Sequence, residues 1–309
     1  MINTNFNSII ELIQTFPDEQ SCINYLEEMR WNGYIISPFD KTSKVYKCND
    51  NKYRCKNTGK YFNVKTNTLF DSTKIPLQKW FLAIWLITSH KKGMSSLQLA
   101  KDLKITQKTA WHMLHRIRKC LGIENNNDLD NDVEVDETYI GGKNKNRHFD
   151  KKVKNSQGRS AKDKTPVVGM IERGGKLNAY KVDDVQAETL TTEIIKKVKK
   201  TAFLYTDEWL GYKDVSKIYD HSIVKHGQGQ YVNGNAHTNT IEGFWSLLKR
   251  GIVGIYHFTS KKYLQNYVDE FVFRYNTRNY IEFDRFNLLL SNIEFRTTYK
   301  NLVYGGTTC

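Results

Sequence analysis

At Val133 the chain changes its period. Just before it lies an Asn/Asp run, NNNDLDND at 125–132, made of turn formers and charge with no apolar anchor, which is the chemistry of a linker. Beyond it, short runs alternating in twos take turns with segments repeating every three to four residues. Strands are expected at 133–140 (VEVDETYI), 166–173 (PVVGMIER) and 176–183 (KLNAYKVD). A helix at 186–200, a strand at 202–207 (AFLYTD), a helix at about 209–219 and a short strand at 221–226 (HSIVKH) follow. A Gly/Asn-rich loop then leads to a helix starting near Thr238. That order confines the second half of the chain to an α/β core, a mixed five-stranded sheet flanked by helices.

Acidic residues sit where such a core can least tolerate them. Asp136 falls mid-strand, on one face with Glu134 and Thr138, while Val133 and Val135 take the other. Asp207 ends the apolar strand AFLYTD, and a helix N-cap is the plain alternative for it. In the last core helix, HTNTIEGFWSLLKRG, Ile241, Phe244, Trp245, Leu248 and Ile252 share the packing face. Asn239, Glu242, Ser246 and Lys249 cluster on a different one, so Glu242 can point toward the two aspartates. Carboxylates buried together are costly unless something neutralises them, and a divalent cation does so. Three such acids can hold two Mg²⁺ or Mn²⁺ ions about 4 Å apart, the arrangement used for in-line phosphodiester displacement. The element order is that of the RNase H-like fold.

Upstream, residues 73–124 read as a helix-turn-helix. Ser95 or Ser96 caps a helix carrying Leu97, Leu99, Ala100 and Leu103. After a turn through Lys104 and Ile105, Thr106 caps a second helix, with Ala110, Met113, Leu114, Ile117 and Leu121 on its apolar face. Lys108, His112, His115, Arg116 and Lys119 form the other face, as a recognition helix requires, although any amphipathic helix with a solvated basic face would look the same. Residues 1–72 hold a helical start and a segment, YRCKNTGKYF at 53–62, like the second half of a zinc ribbon. The ligand set is degenerate. Thr58 stands where a second cysteine would follow Cys55, Ser37-Pro38-Phe39-Asp40 stands where a C-P-x-C knuckle is expected, and Cys48 is at the wrong spacing. The reading is a ribbon without structural zinc, held by Tyr46, Tyr53, Tyr61, Phe62 and Phe70.

A net charge of +14 and a pI near 9.3 make nucleic acid the expected partner. Residues 141–165 carry nine Lys/Arg against Asp150 and Asp163, a loop suited to phosphates through Lys143, Lys145 and Arg147. The longest strongly apolar run, Trp80 to Ile87, is too short for a bilayer, and the start of the chain lacks a signal-peptide pattern. Five widely spread cysteines argue against a disulfide framework and for a reducing cytoplasm.

Three motifs, VEVDETYIGGK, LYTDEWLGY and HTNTIEGFWSLLKRGIVGIYH, together resemble the ISXO-type insertion-sequence transposases of the DDE superfamily, a likeness running from about residue 30 to 280 and including YRCKNTGKYF and TLFDSTKIPLQKWFLAIWLI. The resemblance implies an RNase H-like catalytic domain at 133–285, preceded by the ribbon-like segment (1–72) and the helix-turn-helix (73–124) and followed by a tail at 286–309. It implies Asp136, Asp207 and Glu242 as catalytic metal ligands with Lys249 completing the signature. Because some members place Asn or His at the third position, Asn239 is the alternative third ligand, with His237 nearby. Arg250 joins Lys249 as a DNA contact. The implied activity is cleavage and joining of double-stranded DNA at the ends of an element and at a target, by a homodimer or higher assembly. A purely hydrolytic two-metal nuclease and a DNA-binding regulator without catalysis are the alternatives.

Overall fold

The computed structural model describes residues 5–142, 144–146, 148–154, 163–224 and 237–304. It forms two compact units, the first within Met1–Cys120 and Tyr280–Cys309, the second Leu121–Asn279.

The first unit opens with α1 (Ile9–Thr15), capped by Ser8, and α2 (Glu19–Trp31), whose Asp18 and Ser21 form a reciprocal capping box. Strands β1 (Val45–Lys47), β2 (Tyr53–Cys55) and β3 (Tyr61–Phe62) make a small antiparallel sheet where the ribbon-like segment was expected. Its Cys55 is buried, which alone would raise the thiol. Hydrogen bonding with Ser37, Ser43 and Thr58 outweighs this and brings it down to about 6. Helices α3 (Leu77–Ser89), α4 (Ser96–Asp102) and α5 (Gln107–Leu121) follow, α4 and α5 at the predicted places.

The basic face of α5 is a correction to the sequence reading. His115 and Arg116 are buried, His112 and Lys119 are half-buried, and only Lys108 stays exposed. Arg116 stacks its guanidinium 5.3 Å from the Trp80 ring centroid and donates to the Asp71 carbonyl at 3.0 Å. His115 lies against Trp111, His112 against Tyr299, and Lys119 donates to Thr297 Oγ1. Burial and the Arg116 charge push His112 down to about 4. Long cationic and imidazole side chains have apolar bodies, so a basic stripe packs under a covering segment as readily as it faces water.

That covering segment belongs to the end of the chain. Helices α9 (Glu282–Leu290) and α10 (Tyr299–Tyr304) fold with the first unit, where the sequence reading divided them between the end of the second domain and a tail. Phe286 enters an aromatic core with Phe6, Phe16 and Phe81, at ring separations of 5.2, 6.5 and 5.3 Å.

The second unit is built on a five-stranded sheet of β4 (Asp132–Ile140), β5 (Thr165–Glu172), β6 (Leu177–Lys181), β7 (Phe203–Asp207) and β8 (Asp220–Val224), in spatial order β6-β5-β4-β7-β8. The first three strands pair antiparallel and the last two join in parallel, as expected of an RNase H-like core. On one face Val133, Val135, Val168, Met170 and Leu204 pack with Leu190 and Ile194 of α6 (Ala187–Lys197). On the other, Val167 and Ile171 meet Ile241, Phe244, Trp245 and Leu248 of α7 (Asn239–Gly251) and Val268 and Phe271 of α8 (Leu264–Asn276). The predicted helix at 209–219 is instead two short 3₁₀ turns, Leu210–Tyr212 and Val215–Lys217, which send Tyr212, Val215 and Tyr219 into the core. Among the described residues, no helix is long and apolar enough to cross a membrane.

Candidate active site

Strand β4 runs between two cores, so alternate residues face different layers. Val133 and Val135 belong to the α6 side, and Glu134 and Asp136 turn toward α7. Glu134 is fully buried and saturated. Oε1 accepts from Arg173 Nε and Thr240 Oγ1, both at 2.9 Å, and Oε2 accepts from the backbone N–H of Thr240 (2.9 Å) and of Ile241 (3.1 Å). Thr238, at the N-cap of α7, makes no capping bond. A carboxylate from the neighbouring strand therefore satisfies the orphan donors of the helix.

Two residues along β4, Asp136 begins the acidic cluster. Ligand-capable atoms of Asp136, Glu137 and Asp207 all lie within 4.8 Å of one another. Asp136 comes from the middle of β4, and Asp207 from the end of β7, where its Oδ1 accepts from the Trp209 N–H at 3.0 Å. Glu137, 8% exposed, accepts from the Tyr212 hydroxyl at 2.8 Å. Burial first, then the charges of Glu137 and Asp207, raise the Asp136 carboxyl to about 7. Acids held this close repel, and a divalent cation relieves both the repulsion and the burial penalty. The donor set, three carboxylates, suits a hard cation such as Mg²⁺ or Mn²⁺.

The structure thus brings Asp136 and Asp207 within ligand distance of one another. It adds Glu137, which the sequence reading missed although it stands directly beside Asp136 in the sequence. Glu242 is not in the group. It sits exposed on the first turn of α7 and its Oε1 accepts from Thr238 Oγ1 at 3.3 Å. Asn239 begins the same helix, and Lys249 and Arg250 are exposed in its last turn. His237 Nδ1 lies 3.1 Å from Glu134 Oε1, beside the start of α7 rather than in the acidic cluster. Lys143, Arg147 and the side chain of Lys145 lie outside the described residues.

Tyr212 supplies a check on this geometry. It is 1% exposed and its hydroxyl is held by Glu137. Tyr212→Phe removes one hydrogen bond to a buried carboxylate, worth about 1.5–3 kcal/mol. The metal-free protein is expected to melt lower by several degrees in calorimetry. A melting temperature equal to that of the wild type would mean the bond is not made in solution.

Residues 128–276 match the ISXO2-like transposase domain family. Over 251 residues the chain is 28% identical to an uncharacterized protein in the transposable element ISH50 of Halobacterium salinarum, covering 77% of this chain and 84% of the relative. Among solved structures it is similar to the Mos1 strand transfer complex and to a pre-cleavage Mos1 transpososome. Each is 13% identical with a TM-score of 0.25, covering 70% and 71% of this chain and 79% of the Mos1 chain.

Proposed function

We propose, for a chain whose residues 128–276 match the ISXO2-like transposase domain family, that it cuts and joins double-stranded DNA at the ends of an insertion sequence. The observation that carries this reading is the meeting of Asp136, Glu137 and Asp207 at ligand distance on adjacent strands β4 and β7. Divalent cations bound there would activate an attacking oxygen and stabilise the leaving oxygen of a phosphodiester.

The chain's own contribution is to hold the ligands. Asp136 and Asp207 are fixed by the strands that carry them. Glu137, kept in place by Tyr212, is the third carboxylate within reach. Glu242 is the second candidate for that place, on a helix start that Glu134 ties to β4. Lys249 and Arg250, exposed two turns further on, suit DNA phosphates, as do Lys143, Lys145 and Arg147. On α5, Lys108 keeps its proposed DNA contact, since it alone of the five named residues is exposed. Pairing two DNA ends calls for at least two copies of the chain during the reaction.

The test is a strand-transfer assay with DNA flanking the gene and Mg²⁺. Asp136→Asn and Asp207→Asn should abolish joining, and Asn239→Ala should leave it intact. Glu137→Gln and Glu242→Gln identify the third ligand by which of them abolishes the reaction. Cleavage without joining would replace this reading by a hydrolytic nuclease. DNA binding with no metal-dependent cleavage would replace it by a regulator.

A further inference from the structure

Trp245, on the packing face of α7, is hydrogen-bonded to the acidic cluster. The residue is 4% exposed, and its indole Nε1 donates to Asp136 Oδ2 at 2.9 Å. A buried indole N–H needs an acceptor, and any backbone carbonyl would satisfy that need. Here the acceptor is the central carboxylate of the site, and the neighbouring strand is cut to permit it. Gly169 on β5 is the direct cross-strand partner of Asp136. A Cβ at Gly169 would stand 2.6 Å from Trp245 Cη2 and 2.7 Å from Cζ2. The indole lies on the space a side chain would fill and reaches Asp136 across it.

We infer that Trp245 is a positioning residue for Asp136: its indole N–H fixes the rotation of the carboxylate that receives the divalent cation, and Gly169 provides the room for it. A carboxylate carries lone pairs on two oxygens, so one hydrogen bond restrains it without ending its capacity to ligate. Partners that orient metal ligands in this way typically change metal affinity or activity 10–100-fold when removed. The inference rests on the reading of Asp136 as a metal ligand given above.

The experiment titrates Mn²⁺ alone into the full chain by calorimetry at fixed pH, with folding checked by circular dichroism and melting, and measures strand joining separately. Trp245→Phe keeps most of the ring bulk and loses the donor. Gly169→Ala displaces the ring. Both are expected to bind Mn²⁺ about 10–100-fold more weakly, with joining largely recovered at saturating Mn²⁺. Phe244→Leu, a packing change on the same helix, is expected to lower the melting temperature and leave Mn²⁺ affinity unchanged. Wild-type affinity in Trp245→Phe, or an equal loss in Phe244→Leu, overturns the inference. So does a wild type with no Mn²⁺ uptake that Asp136→Asn removes. If the wild type binds Mn²⁺ through Asp136 yet joins no DNA, the transposase reading falls, and the affinities still decide the role of Trp245.

Discussion

Glu134→Ala is expected to destabilise the second unit by about 3–5 kcal/mol, the range for removing one partner of a buried ion pair. The carboxylate is 0% exposed and takes four donors, from Arg173 Nε, Thr240 Oγ1 and the backbone of Thr240 and Ile241. In the alanine variant the two backbone donors at the start of α7 lose their acceptor in a place water reaches poorly, and each costs about 1–3 kcal/mol. Arg173 keeps some support, since its Nη2 still donates to the His237 carbonyl and its guanidinium stacks 3.9 Å from the Tyr205 ring centroid. The loss should therefore fall near the middle of the range. With about 2–4 °C per kcal/mol for a unit of this size, the melting transition should drop by about 10 °C. Glu134→Gln should lie between the variant and the wild type, because its carbonyl still accepts while its amide faces a donor. A drop of only a degree or two in Glu134→Ala would mean that α7 is not held to β4 through this carboxylate.

Local pattern carried the central strands well because β4 and β5 lie between two cores. The alternation of valines with acids in VEVD records two different layers, Val133 and Val135 facing one and Glu134 and Asp136 the other. The same reasoning found the face of α7, where Ile241, Phe244, Trp245 and Leu248 are buried and Glu242 is exposed. What escaped was decided by residues distant in sequence. Glu137 faces Tyr212, 75 positions away, and nothing in its own strand says so. The basic stripe of α5 has the same period whether water or Tyr299 covers it. Phe286 falls at the start of the stretch read as a tail, and only the assembled core with Phe6, Phe16 and Phe81 shows where it packs. The stretch at 209–219 failed differently. Its apolar residues Tyr212, Val215 and Tyr219 keep the i, i+3, i+7 spacing of a helix and do reach the core, but the backbone makes two short 3₁₀ turns on the way to β8. Trp245 was legible as core and illegible as the partner of Asp136, since only the pairing of Gly169 with Asp136 reveals the space it uses.

Asp136→Asn should remove strand transfer by at least ~10³, about 4 kcal/mol of transition-state stabilisation, and should at the same time make the metal-free protein more stable. The two effects have one cause. Burial, Glu137 and Asp207 raise the Asp136 carboxyl to about 7, against an unfolded value near 3.9. A carboxyl whose folded value is raised holds its proton more tightly in the folded state. Its stabilising contribution is complete below about pH 4 and is lost as the pH rises through about 7. At pH 8 the charged group then weighs against folding by on the order of 3–4 kcal/mol, somewhat less for its partial exposure. Asparagine removes the charge and keeps an oxygen that can accept from Trp245, so the comparison isolates electrostatics from packing. In EDTA the variant should melt higher than the wild type at pH 8, and the gap should close as the pH falls from 7 to 4. Adding Mg²⁺ should raise the melting temperature of the wild type and leave the variant nearly unmoved, because a cation that binds the folded state alone stabilises it. A variant that melts lower than the wild type at pH 8 in EDTA would show that the three acids do not strain the fold. The cation would then lose its physical reason to bind between β4 and β7.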